Sequence, residues 1–394
     1  MKKVLLLTVP AFILLVQDSY SQGGPDSVLS YIEKNNKSLQ SNKKYGEARK
    51  AEFKTGLTPY DPQVEYDYLW GLPVGAGNQK DFSVTQRFDF PAAYKRKQTL
   101  SGQQITHAEI QHQIFRQDIL LQAKLILLDC IYTNKKQAVF DERRIRTEQL
   151  VQNYQKKLKQ GEVIILDVNK AKLELLNIRQ ESSLNQNAVQ TLKTKLSELN
   201  GGFDLDIRDT LYPIVPVISD FETLDSTIEA NDPIIKLYEQ EKILLRQQIA
   251  VQRALNLPKI ETGYHSQGIL GQNYRGIHAG ITIPLWENKN KLKAAQANLN
   301  YVIQYSSAQR LEHRFENKQL YDQLAVRLNA IQEYQRLIGE LRNNELLDKA
   351  LSFGQITIID YFKDQAYYYT SYDKFLQLER EYHKAIAELY KFKL

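Results

Sequence analysis

The sequence repeats itself at a spacing of about 193 residues, and a duplicated chain must build one unit twice. Pro91 and Pro284, Gly161 and Gly354, and Asp167 and Asp360 are each separated by 193 positions. Gly161-Glu-Val-Ile-Ile-Leu-Asp167 matches Gly354-Gln-Ile-Thr-Ile-Ile-Asp360, and Lys170 and Lys363 continue the match. Upstream the offset becomes 196, pairing Pro62 with Pro258 and Asn35 with Asn231. A loop between them absorbs the three-residue difference.

Each half is read in the same order. A first helix is expected over Asp26–Thr55 and again over Pro233–Asn256. Two strand-like runs follow, then a long helix from about Ala92 to Gln160 and from about Leu285 to Ser352. A short apolar turn leads into a return helix, Asp167–Leu199 and Asp360–Phe392. Asn200-Gly201-Gly202 stops the first return helix. The first repeat is placed at 22–210, with its strands in 62–90 and its helical hairpin in 92–200. A linker containing Pro213 and Pro216 covers 211–230. The second repeat covers 231–394, with strands in 258–284 and helices in 285–392. Eighteen Gly and eleven Pro are few for 394 residues, in keeping with long uninterrupted elements.

Met1–Ser21 reads as a secretory signal peptide: Lys2 and Lys3, an apolar run Val4–Val16, then Ser19 and Ser21 at the positions a signal peptidase reads. The apolar run is well short of the ~20 residues of a spanning helix. No Cys follows it, so no lipid anchor is expected at the mature N-terminus, and the lone Cys130 cannot form an internal disulfide. Any crossing of a membrane after export must therefore use strands.

Both strand pairs alternate with period two, the mark of half-buried strands. Val64, Tyr66, Tyr68 and Trp70 oppose Gln63, Glu65 and Asp67. Phe82, Val84, Phe88 and Phe90 oppose Ser83, Thr85, Arg87 and Asp89. Ile260, Thr262 and Tyr264 oppose Glu261 and His265, while Ile277, Ala279, Ile281 and Ile283 oppose His278, Gly280 and Thr282. Polar, Gly-rich loops are expected at Gly71–Lys80 and Ser266–Gly276. Strands of this length suit an outer membrane. Four of them cannot close a barrel, and open edges are not tolerated in lipid, so a membrane reading requires several chains to pool their strands. A small soluble sheet packed on the helices is the other reading.

The return helices carry heptads. Val168, Ala171, Leu175, Ile178, Ser182, Asn185, Val189, Leu192, Leu196 and Leu199 form one stripe. Its counterpart is Tyr361, Asp364, Tyr368, Ser371, Phe375, Leu378, Tyr382, Ala385, Leu389 and Phe392. The Tyr367-Tyr368-Tyr369 run with Tyr372 reads as packing between helices. A helix of about 65 residues spans about 100 Å, too long for a compact globule. Such helices build a rod or a tube.

This order of strand, strand-Pro, long helix, Gly-x-x-x-x-x-Asp turn and long helix, given twice after a signal peptide, resembles the TolC family of outer membrane efflux proteins. Phe88-Asp-Phe-Pro91 and Ile281-Thr-Ile-Pro284 look like its strand-to-helix junctions, and Gly161–Asp167 and Gly354–Asp360 look like its hairpin tips. The resemblance covers nearly the whole mature chain. It implies a mainly α chain with membrane β-strands, whose homotrimer forms an outer-membrane β-barrel and a periplasmic α-helical tunnel. It implies a periplasmic adaptor (membrane fusion) protein and an inner-membrane pump as partners, outer-membrane lipid as surroundings, and neither catalysis nor a cofactor. A pump of the resistance-nodulation-division type is the expected one. The last helix ends near Leu394, with no long tail.

The family narrows its tunnel with an acidic ring from the second tip. The match places Asp360 there, with Lys363 where the family has a second Asp, and Asp364 next. That departure bears directly on the ring's charge. Three copies of Asp360 near one axis would hold cations, while a helix-capping part suits an Asp at this place equally. Asp167 reads as a cap alone. Val163, Ile165, Ile356 and Ile358, with Gly161 and Gly354, form apolar tips that read as the adaptor-docking surface.

Other function classes are weaker. Fifty-two Lys+Arg against 46 Asp+Glu give a net charge of +6 with no long basic run, so nucleic acid is not an expected partner. The six His are dispersed, and no phosphate loop, nucleophile elbow or His-Glu-x-x-His motif appears, so neither an enzyme nor a metal site is expected. The duct of a type I protein secretion system and a periplasmic coiled-coil tether stay open as alternatives.

Overall fold

The computed structural model describes residues 25–341 and 343–394. The predicted signal, Met1–Ser21, lies outside them. Each repeat begins with two helices: α1 (Pro25–Asn35) and α2 (Lys37–Glu52), then α5 (Phe221–Asn231) and α6 (Pro233–Leu255). This corrects both the single first helix expected over Asp26–Thr55 and the irregular linker expected over 211–230, part of which is α5.

The breaks have a shared cause. Asn36 and Asp232, 196 positions apart, are both buried N-cap residues with extended ψ of 119° and 123°. The Asn36 carboxamide accepts from the Leu39 N–H at 2.9 Å and donates to the Leu199 carbonyl at 2.8 Å. Asp232 accepts from the Ile234 N–H at 3.1 Å and is followed by Pro233, suited to a first helical position. Gly201 closes the packing there. Its φ is +70°, and a Cβ on it would lie 2.4 Å from the Asn35 carbonyl oxygen.

The strands β1 (Gln63–Leu69), β2 (Gln79–Phe88), β3 (Lys259–Ile269) and β4 (Gln272–Thr282) form one antiparallel sheet in chain order. β3 and β4 are joined by Leu270 and Gly271 alone, both at positive φ (49° and 80°), as a two-residue hairpin turn requires. The loop expected over Ser266–Gly276 is thus mostly strand.

α3 (Pro91–Lys159) runs 69 residues, about 100 Å at 1.5 Å per residue. Pro91 is its first residue, as anticipated. Pro284 is not at a helix start. Residues 283–286 are irregular and 287–290 form a turn, and α7 (Lys291–Glu340) begins only after Asn290, whose φ is +67°. Asn288 donates to the Leu255 carbonyl at 3.0 Å, which pins this segment to the end of α6. The helix expected to run unbroken to Ser352 also breaks at Leu341, two residues after helix-weakening Gly339, and resumes as α8 (Asn343–Ser352). The return helices are α4 (Ile165–Leu199) and α9 (Ile358–Leu389), whose first residues are 193 apart.

The apolar core is duplicated too. Ile32 of α1 packs in one cluster with Leu120, Leu127 and Leu196, and Ile228 of α5 in another with Leu324, Phe375 and Leu389. Contacts between elements order the long helices α4, α3, α9, α7 across a wall, with α4 and α7 at its free edges. Among the described residues, no helix is long and apolar enough to cross a membrane.

Candidate functional site

The sheet sorts its side chains by face. In the ladder register Val64, Val84, Tyr264 and Ile277 stand side by side across the four strands, and Phe88, Ile260 and Ile281 share a row on the same face. Ile277 is 88 % exposed and Ile281 72 %. The other face aligns Glu65, Ser83 and His265 in one row and Arg87 with Glu261 in another, the last two paired at 3.2 Å. A face of exposed aliphatic and aromatic groups backed by a charged face is stable where one side meets an apolar phase. The chain's two Trp flank the sheet: Trp70 just past β1 and Trp286 just past β4, both largely exposed. Among the described residues, no strand lies beside the outer edges of β1 and β4.

At the far end of the wall lie the two hairpin tips. Gly161 and Gly354 both hold positive φ (76° and 69°), which ends the incoming helix. Val163 and Ile356 are half-buried, and Ile165 is 53 % exposed beside exposed Ile164 and Leu166. Ile358 differs from the expectation of an exposed tip. It is 3 % exposed and packs on Val151, Ala171 and Leu175 of the first hairpin. It joins the two hairpins, and its neighbour Ile359 takes the exposed position.

Asp360 is the third residue of α9. The Thr357 hydroxyl accepts from the Asp360 N–H at 3.2 Å, and the Asp360 carboxylate accepts from the Thr357 N–H at 3.3 Å, forming a capping box. The Thr357 hydroxyl also donates to the Asp360 carboxylate at 2.6 Å, and this bond, with that from the Thr357 N–H and the nearby Lys363 ammonium, holds the Asp360 carboxyl below the usual carboxylate range. Lys363 and Asp364 are exposed one turn along. Asp167 holds the equivalent place in α4, but Ile164 stands where Thr357 would be; Asp167 pairs with Lys170 at 3.3 Å instead.

Behind the second tip is a polar network that the sequence pattern did not single out. The buried Tyr361 hydroxyl donates to Asp348 of α8 at 2.8 Å and accepts from Gln365 at 2.8 Å. Asp348 also pairs with Arg146 of α3, and the Arg143 guanidinium lies 4.3 Å from the Tyr369 ring centroid. Burial and the bond to Asp348 push the Tyr361 hydroxyl well above the usual phenol range. The heptad expectation fails locally here: Asp364 is exposed, and Gln365 and Tyr369 fill the stripe. The visible signal was Tyr361 itself, a hydroxyl at the core position held by Val168 in the first repeat.

Neither a protein-family model nor the sequence of any curated protein matches the chain. Solved structures do. A crystal structure of CusC, described with transmembrane channel formation, aligns over 98 % of each chain at 14 % identity with a TM-score of 0.78. The CmeC outer membrane channel of Campylobacter jejuni aligns over 93 % of this chain and 85 % of its own, at 14 % identity and a TM-score of 0.70. The open MtrE outer membrane channel of Neisseria gonorrhoeae covers 93 % and 88 %, at 12 % identity and 0.64.

The chain has the TolC-family fold. Within a TolC-fold chain the sheet, the tips and the Tyr361 network lie on one long wall, so its two ends can serve different surroundings.

Proposed function

We propose that this chain is one subunit of a homotrimeric outer-membrane efflux channel, a passive duct that exports cargo handed over by an inner-membrane pump through a periplasmic adaptor. The observation that carries this reading is a four-stranded sheet with one exposed apolar face, one charged face and two free edges. Three such sheets supply twelve strands, which closes a barrel and leaves no open edge in lipid. An 11-residue strand of β4 is about 37 Å long and, tilted by about 40°, covers roughly 28 Å of membrane thickness. Trp70 and Trp286 then fall at the two interfaces, where Trp is favoured. The similar solved structures named as outer membrane channels support the same placement.

The helical wall extends from the barrel into the periplasm. Three copies of Asp360 at the second tips give the aperture a negative ring, and the capping box fixes each carboxylate in place. Asp360 then has both parts, cap and ring. Because its folded pKa is depressed, the ring keeps its charge as pH falls toward the ordinary carboxylate range and loses it only below. Single-channel recording in planar bilayers tests this. Asp360→Ala is expected to lower cation preference markedly, and the native channel's preference is expected to stay flat from neutral pH to about pH 5. Equal ion selectivity in both proteins would remove Asp360 from the conduction path.

The exposed apolar tip around Ile165 is the adaptor surface. Ile165→Glu is expected to abolish efflux while leaving the trimer intact, read by drug or metal susceptibility beside native mass. Unchanged export would place docking elsewhere.

A further inference from the structure

We infer that a basic collar at the helical end of the sheet binds the phosphodiester headgroups of anionic phospholipids in the leaflet beside it. Arg96, Lys289 and their exposed neighbours form the collar. This rests on the membrane reading above.

Positive charge is scattered along the sequence and gathered by the fold. The register puts the start of β1, the end of β2, the start of β3 and the end of β4 at one end of the sheet. The segments that meet there, residues 49–62, 87–98, 246–262 and 282–293, hold 13 Lys+Arg against 5 Asp+Glu. That excess of eight is larger than the whole chain's net charge of +6, so the remaining residues are slightly acidic. Four of the five acids are already paired: Glu52 with Arg49, Asp89 with Lys97, Glu261 with Arg87 and Glu287 with Lys259. Lys54, Lys95, Arg96, Arg253, Lys289 and Lys293 are exposed and, among the described residues, make no ion pair. The duplication builds the surplus twice, since Arg96 and Lys289 are 193 positions apart and Lys50 and Arg246 are 196 apart.

The depth of these charges fits a headgroup plane. β4 ends at Thr282, and Ile283, Leu285 and Trp286 follow with 63–78 % of their surface exposed. Lys289, Lys291 and Lys293 come next in the chain. In α3, Arg96 is the sixth residue, about 8 Å along the axis from Pro91. The screening length at physiological ionic strength is also about 8 Å, so these cations feel charge at the strand ends. An apolar, Trp-bearing rim followed by unpaired Lys and Arg is the pattern that holds an anionic leaflet. In the lone chain the same charges are badly placed. Neither α3 nor α7 has an acid in its first turn, and basic groups near the positive end of a helix are unfavourable. Phosphate oxygens beside them offset that repulsion. At the other end of the sheet, residues 70–78 and the turn Leu270-Gly271 hold no charged residue, so the collar is one-sided.

The chain's two Trp report the two ends of the sheet separately. Trp70→Phe leaves Trp286 beside the collar, and Trp286→Phe leaves Trp70 at the far end. Each protein is reconstituted in phosphatidylcholine vesicles containing a minor share of brominated phosphatidylglycerol or, in parallel, of brominated phosphatidylcholine. Bromine quenches Trp fluorescence on contact. Trp286 is expected to be quenched roughly twofold more by the anionic lipid at low salt. The excess is expected to fade at high salt, and to vanish in Arg96→Gln/Lys289→Gln/Lys293→Gln at unchanged native mass. Trp70 is expected to show a smaller difference. Equal quenching of Trp286 by the two lipids, or an equally large excess at Trp70, would overturn the collar and leave the membrane placement standing. Quenching of Trp286 by neither lipid would overturn the membrane placement, and the collar with it.

Discussion

Ile277→Arg is expected to eliminate the membrane-embedded assembly. Ile277 stands in the row of Val64, Val84 and Tyr264, in the middle of the apolar face, and is 88 % exposed in the single chain. An arginine on the lipid face at mid-membrane costs about 2–4 kcal/mol, and three copies bring the total to roughly 6–12 kcal/mol per barrel. The adjacent His278 points the other way, beside Glu261 at 3.3 Å. His278→Arg puts its charge into a wet lumen and is expected to leave the trimer yield nearly unchanged. Outer-membrane fractionation followed by native mass separates the two. Equal yields would mean that the apolar face does not meet lipid.

Ile358→Asp is expected to cut the second hairpin loose from the first. The native side chain fills a site against Val151, Ala171 and Leu175. Losing that burial costs about 1.5–3 kcal/mol, and an unpaired carboxylate in the same place adds a desolvation penalty, so about 3–5 kcal/mol in all. Ile359→Asp changes the next residue, 54 % exposed, and is expected to stay within about 0.5 kcal/mol of the native protein. Limited proteolysis of the α8–α9 turn and amide exchange along α9 read the difference. Matching protection in the two variants would contradict the assigned packing.

These two residues also mark what the sequence revealed. Ile277 was legible because period-two alternation depends on backbone geometry alone, and it put the residue on the apolar face before any register was known. The heptad of α4 was legible for the same reason, since α4 packs along nearly its whole length on α3 and meets α9 only near the tip. α9 packs on α3, α7 and α8 together, so its buried stripe shifts near the tip, and neither the burial of Ile358 nor the Tyr361–Asp348–Arg146 network followed from a repeat. Arg146 and Asp348 are 202 residues apart, and a contact at that distance leaves no local pattern. The helix breaks at Asn36 and Asp232 lie between these cases. Asp232-Pro233 is a helix-start signal and was read as one, whereas α5 before it lay in the stretch expected to be linker, and no Pro follows Asn36 to mark the break there.

The central claim is that three chains pool their strands in the outer membrane. Its most direct test is the native mass of the protein extracted by detergent from the outer-membrane fraction. A trimer in that fraction is the predicted result. A periplasmic monomer or dimer recovered without detergent would contradict it, and would make the sheet a soluble base for a coiled-coil tether.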